Sequence, residues 1–270
     1  MLKIIHFIQN LSLDITAGAV IMTLFLAKVM NVDLSLNMVV GLSIAIWLIY
    51  TIDHLLDAHK SKERAVNPRH AFHQKYFKVI SSVALLVFAI GLWNLKYLPE
   101  ETLLFGAILA VVSGAYLLYS FKSKKPFNKE VFAAFVYTAG VSTAPLSIAN
   151  SIDGVQAILV LQIFVLAYAN LLIIPLYEHD IDIEDHHASV ATLKGASMVK
   201  QRVLLLCSLN IILFAIQFLL LKSYPIQGII LMMTFVLFTL INRQVWFKKY
   251  QLFRILADGI FFLPGIYLLL

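Results

Sequence analysis

Charge is scarce in this chain. Asp, Glu, Lys and Arg make up 13% of its 270 residues and 61% are hydrophobic, with a mean hydropathy of +0.87. Soluble domains carry about 25% charged and about 45–50% apolar residues. A soluble fold of this length has too little interior to hide the difference, which leaves a polytopic membrane protein. Cysteine is nearly absent: Cys207 stands alone inside an apolar run, so no intrachain disulfide can form. No Pro/Gly/Ser-rich linker or low-complexity stretch divides the chain, and residues 1–270 read as a single membrane domain. The opening MLKIIHFIQNLSLD lacks a signal-peptide layout, so the first apolar segment is expected to stay as a membrane helix. GxGxxG, a Walker loop, HExxH and a Ser-His-Asp arrangement are also missing.

What is present is a series of long apolar runs. A helix needs roughly 20 residues to cross the hydrocarbon core. The runs predict nine spans, at 10–30, 35–56, 76–97, 101–120, 129–149, 155–177, 201–221, 225–242 and 252–270. They are long and do not alternate. A lipid-facing helix also satisfies its own backbone hydrogen bonds, so the fold class is an all-α membrane bundle. The net charge of +6 is explained by topology rather than by nucleic-acid binding. Eighteen of the 21 Lys and Arg residues fall on one side of this nine-span layout, and only Lys28, Lys96 and Lys222 fall on the other. Positive charge is retained in the cytoplasm, which predicts an inside N-terminus and an outside C-terminus. A bacterial inner membrane fits this layout.

Seven of the 15 acids sit in two short stretches at the inner ends of spans two and six. In IYTIDHLLDAHK, Asp53 and Asp57 are four apart and project from one helical face. Like charges at this spacing are mildly destabilising on a helix, so a compensating divalent cation is one reading and a helix simply leaving the membrane is the other. In PLYEHDIDIEDHHASVATLKG, Glu178, Asp182 and Asp185 share a face, Asp180 and Glu184 form a pair on another, and Pro175 stands where a kink is expected. Two carboxylate pairs facing each other across a bundle would offer hard oxygen ligands suited to Mg²⁺, which keeps waters and also binds substrate phosphates.

These two motifs, in a nine-span chain, resemble those of the UbiA superfamily of intramembrane prenyltransferases. The resemblance in layout covers essentially the whole chain, and at residue level it concentrates in 50–70 and 175–195. The family's first motif runs Asn-Asp-x-x-Asp-x-x-x-Asp. Asp53 and Asp57 match its last two acids, while Ile49 and Tyr50 replace the leading Asn and Asp. In the second motif, acid-x-x-x-Asp followed by Ser or Thr, the best register uses Glu178, Asp182 and Ser189. A competing register uses Asp185 and Thr192 but sets Ile181 where an acid belongs. The resemblance implies that Asp53, Asp57, Glu178 and Asp182, with Asp185 beside them, hold Mg²⁺ on a prenyl diphosphate. The metal would stabilise the departing diphosphate, and a lipophilic acceptor, an aromatic ring in many of the family, would attack the allylic cation in a water-poor chamber. The site is expected under the loops 58–75 and 178–200.

Further substrate-binding candidates are Arg69, where the family often has an arginine suited to bidentate phosphate contact, and Lys122 and Lys124 (with Lys125) in LYSFKSKK, similar to the family's Tyr-x-x-x-Lys/Arg stretch. The lysines serve topology alone in the other reading. Asn170 lies two turns before Glu178 and points roughly the same way. Tyr119, one turn after Tyr116, can stabilise a cation or simply pack. Seven of the eight histidines crowd the motif regions, where one or two of them can line the site. Asp14 and Asp258 are acids within apolar runs, which usually face a cavity or the bundle; Arg254, four residues before Asp258, offers it a partner. Small-residue stretches such as TAGAV (16–20) allow close helix packing. Two rival functions stand beside prenyl transfer: a cation- or proton-coupled transporter, and a lipid-binding family member without catalysis. Transporters favour acids near the bilayer midplane, whereas these lie at span ends.

Overall fold

The computed structural model describes residues 2–60, 65–122, 129–185, 188–221, 224–249 and 252–270. Every described element is helical: α1 (Leu2–Asn10), α2 (Leu13–Met30), α3 (Leu36–Lys60), α4 (Pro68–Lys75), α5 (Phe77–Asn94), α6 (Glu100–Lys122), α7 (Lys129–Ile148), α8 (Gly154–Glu184), α9 (Val190–Lys194), α10 (Ala196–Leu221), α11 (Tyr224–Asn242), α12 (Gln244–Lys248), α13 (Leu252–Gly259) and α14 (Gly265–Leu269). Among the described residues, nine helical segments are long and apolar enough to cross a membrane: α2, α3, α5, α6, α7, α8, α10, α11 and the run from α13 through α14. Large apolar side chains cover the outside, among them Leu85 at 71%, Val111 at 72% and Leu219 at 74% exposure. Such a surface is stable only against lipid, and the protein is an integral membrane protein.

Several boundaries differ from those read in the sequence, among them the end of α3 at Lys60 and the start of α10 at Ala196. The first span begins at Leu13, because Ser12 adopts a left-handed backbone (φ 55°) that ends α1. The Trp47 indole N–H donates to the Leu11 carbonyl at 2.9 Å and holds that break. The short α1 then lies over α4, with Phe7 and Phe72 in edge contact. The sixth span does not stop near 177. It runs through Pro175 to Glu184, so the second acidic stretch is helix rather than loop. The ninth span breaks at Gly259 into a short 3₁₀ turn before α14.

The core is built around α8, whose Leu159, Ile163, Leu166, Leu172 and Ile173 are all but fully buried. It packs against α7, α10, α11 and α13. Away from the acids, Gln162, Gln217 and Gln227 meet in the interior. Gln162 and Gln227 exchange amide hydrogen bonds at 3.1 Å, Gln227 also donates to Gln217, and Gln217 donates to the Val155 carbonyl at 2.9 Å. Buried polar groups need such partners in a medium without water. Gly18 in TAGAV lets α2 approach the ninth span, since a Cβ there would stand 3.0 Å from the Phe261 Cβ.

Candidate active site

Both acidic motifs finish their helices at the same, basic end of the bundle. There α3, α7, α8, α13 and the segment around α4 enclose a cavity of about 210 Å³. Helical spacing sets what each element contributes. From α3 come Tyr50, Asp53, His54 and Asp57, within two turns of one another. From α8 come Asn170, Glu178 and Asp182, spaced by eight and four residues. Lys129 and Tyr137 come from α7, and Arg254 and Asp258 from α13.

The carboxylates are held by named partners. The Lys129 ammonium lies 3.2 Å from one oxygen of Asp53 and 3.2 Å from one of Asp57. It bridges the pair and relieves the repulsion that their spacing creates. Glu178 receives the Arg254 guanidinium on Oε1 and the Asn67 side-chain amide on Oε2, the latter at 3.3 Å. Asp182 is buried at 4% exposure and faces the same cavity. Ser189 caps α9 by accepting from the Thr192 N–H and also lines the cavity.

The segment before α4 is fastened to α8 by Asp185. Its Oδ1 accepts from the Val66 N–H at 2.7 Å and its Oδ2 from the Asn67 N–H at 2.9 Å. Asn67 in turn caps α4, its side chain accepting from the Arg69 N–H at 3.0 Å, with Pro68 at the first helical position. This directs Arg69 inward, where it donates to the Gln9 carbonyl at 3.0 Å and lines the cavity. Burial first, and then the neighbouring Arg254, push the Arg69 guanidinium down to about 10, so it remains charged at neutral pH. His73, 1% exposed, packs behind Arg69 with its Nδ1 2.9 Å from the Arg69 carbonyl oxygen. Burial holds its pKa below the ordinary value of 6.5.

Of the residues singled out in the sequence, Asp53, Asp57, Glu178, Asp182, Arg69 and Asn170 line this one cavity. Asp185 does not; both its oxygens are engaged by the Val66–Asn67 backbone. Tyr119 and Lys122 are exposed and lie outside the cavity lining, with the Tyr119 ring 6.0 Å from that of Tyr116. Lys124 lies outside the described residues, as do Lys125, His186 and His187. Arg254 turns to Glu178, and Asp258 meets the Asn170 amide at 3.5 Å instead of pairing with Arg254.

Sequence reasoning missed Lys129, Asn67, Tyr50 and Tyr137. Lys129 was legible only as one of many topology-setting cations, because nothing in the chain links it to a helix some seventy residues earlier. Tyr50 was visible as a departure from the acidic motif, and its place in the cavity depends on packing.

Among the described residues, no group of three or more His, Cys, Asp or Glu side chains is placed to hold a metal ion by itself. The donor set nevertheless suits a hard cation: Asp53, Asp57, Glu178 and Asp182 face one cavity, and the Lys129 ammonium already stands between the first two as a cation would. An open site with few protein ligands is what Mg²⁺ accepts when waters and phosphate oxygens complete its shell.

Neither a protein-family model nor a curated protein matches the sequence. Solved structures match its fold over nearly their full length. A UbiA homolog from Archaeoglobus fulgidus, bound to DMAPP and Mg²⁺, superposes with a TM-score of 0.66 at 14% identity, over 96% of this chain and 99% of that one. The same homolog bound to GPP and Mg²⁺ gives 0.66 at 15% identity, over 97% and 100%. A digeranylgeranylglyceryl phosphate synthase gives 0.57 at 13% identity, over 96% and 95%. At these identities the likeness is one of fold, and the fold is UbiA-like.

Proposed function

We propose that this chain is an intramembrane prenyltransferase that moves a prenyl group from an isoprenoid diphosphate to a lipophilic acceptor. The observation that carries the reading is the meeting of Asp53, Asp57, Glu178 and Asp182 over one cavity at the basic end of a UbiA-like bundle. The solved neighbours that bind DMAPP or GPP with Mg²⁺ support the same donor class and ion here. Asp53 and Asp57 on one side, and Glu178 and Asp182 on the other, are the groups that would hold Mg²⁺. Bound there, the ion supplies neutralisation of the negative charge that grows on the leaving diphosphate.

The remaining work falls to the chain itself. Arg69 and Lys129 present guanidinium and ammonium N–H groups at the cavity for phosphate oxygens. Asn67 and Arg254 orient Glu178. The prenyl tail requires apolar walls, which Ile15, Ala133, Ala167, Leu171, Ile174 and Phe261 provide. These walls also keep water from the allylic centre as its bond to the diphosphate loosens. The excess of Lys and Arg at this end supports a cytoplasmic opening, an inside N-terminus and an outside C-terminus, as in a bacterial inner membrane.

The test is Mg²⁺-dependent release of diphosphate from a panel of prenyl diphosphates, with membrane lipid extract as acceptor. Release is expected with at least one donor. Asp53→Ala and Asp182→Ala should abolish it while the folded protein is recovered. Full activity in both variants refutes the assignment, and cation uptake by proteoliposomes without any prenyl donor favours a transporter instead.

A further inference from the structure

Asp258 has no part in the site as used so far. It lies within the ninth span, where an ionisable group is costly and functional by default. Among the described residues it enters no salt bridge, and its hydrogen bond to the Asn170 amide is long, at 3.5 Å. The carboxylate nevertheless lines the cavity.

Its depth is set by helix geometry. On α13, Asp258 lies one turn beyond Arg254, which binds Glu178. On α8, Asn170 lies two turns inward from Glu178; on α7, Tyr137 lies two turns inward from Lys129; on α3, Tyr50 lies one turn inward from Asp53. At 1.5 Å per residue, each helix therefore carries a charged group near the mouth and a polar one roughly 5–12 Å deeper. The deep groups have spare hydrogen-bonding capacity. Among the described residues, the Asn170 Oδ1 and the Tyr137 hydroxyl are buried without partners, on residues only 5% exposed. Buried polar atoms of this kind are normally satisfied. A floor that has an acceptor carboxylate, an acceptor amide oxygen and a donor hydroxyl suits a ligand group that both donates and accepts.

We infer that Asp258 is a further catalytic residue, the group that takes the proton from a hydroxyl-bearing acceptor seated on this floor. The inference rests on the prenyl-transfer reading. As the donor's C1–O bond breaks, its electron pair leaves with the diphosphate. The acceptor oxygen forms the new C–O bond to C1, and its proton passes to the Asp258 carboxylate. Asn170 positions that carboxylate and Tyr137 steadies the acceptor oxygen.

The experiment follows radiolabelled prenyl diphosphates from the same panel, geranyl diphosphate among them, in purified full-length protein with membrane lipid extract, scoring diphosphate release and label transferred to lipid separately. Asp258→Asn should keep donor binding and slow release into water, and lose transfer at least 100-fold, in the range typical of a missing general base. Asp258→Ala should regain part of its transfer when formate is added, which a purely structural role would not give. Transfer unchanged in Asp258→Asn, equal loss of release and transfer, or no response of Asp258→Ala to formate each overturn the inference while leaving the prenyl-transfer reading intact. Absence of diphosphate release from the wild-type protein with every donor overturns both.

Discussion

Replacing Lys129 with Met removes the ammonium that bridges Asp53 and Asp57, two carboxylates one helical turn apart. At 3.2 Å and an effective dielectric near 20, each contact is worth roughly 5 kcal/mol of Coulomb attraction. Desolvation of the three groups offsets much of this, and removing one partner of a buried pair costs about 3–5 kcal/mol in measured cases. Asp53 and Asp57 retain 24% and 13% side-chain exposure, so the lower end applies, about 3 kcal/mol. By size scaling that lowers the melting temperature by on the order of 10 °C. The assay is thermal unfolding of purified protein in detergent, with and without Mg²⁺. A divalent ion that takes the place of the ammonium at a hundred times its Kd returns about 2.7 kcal/mol, nearly all of the loss. Mg²⁺ should therefore raise the melting temperature of Lys129→Met much more than that of the wild type. Adding Asp57→Asn to Lys129→Met should also recover stability without metal. A Lys129→Met protein that melts with the wild type, or an equal Mg²⁺ response in both, refutes the view of this pair as a cation site.

Asp185→Ala should loosen the Val66–Asn67 segment by removing two charge-assisted hydrogen bonds, each worth about 1.5–3 kcal/mol. The expected result is a KM for the prenyl diphosphate raised about tenfold or more with kcat much less affected, read from initial rates of diphosphate release; an equal fall in both would assign Asp185 to the chemistry instead. His73 is buried with its pKa below 6.5. The unfolded chain therefore binds a proton more readily, and stability should fall as the pH drops below about 6.5, by at most about 1.4 kcal/mol per unit from this group. Melting curves between pH 7.5 and 5.5 should show this slope, and His73→Gln should flatten it. Gln227→Leu strips partners from Gln162 and Gln217 and should destabilise the bundle by about 1–3 kcal/mol. Release of diphosphate at the opposite end should persist below the new melting temperature.

The span count, the crowding of cations at one end and the two acidic motifs were all legible from the amino-acid order, because each depends on local properties. Hydropathy over some twenty residues decides insertion into lipid, and a spacing of four places two carboxylates on one helical face whatever lies opposite. The breaks at Ser12 and Gly259 were not legible. Ser12 takes a left-handed conformation that a serine rarely adopts by itself, and the break is tied by Trp47 from another helix. The extension of α8 to Glu184 was hidden because hydropathy ends at the membrane surface while the helix does not.

Only the tertiary structure decided which charges meet. Lys129 looked like a topology signal and Arg254 like another, or like a partner for Asp258, and packing turned them into the counter-ions of Asp53, Asp57 and Glu178. Asp185 read as one more acid on a shared face, yet the nearby Val66–Asn67 backbone takes up both its oxygens. Periodicity specifies the face a side chain occupies, because that is a property of one helix. Its partner comes from a different helix tens of residues away, selected by how nine apolar surfaces fit together, and no local pattern records that choice.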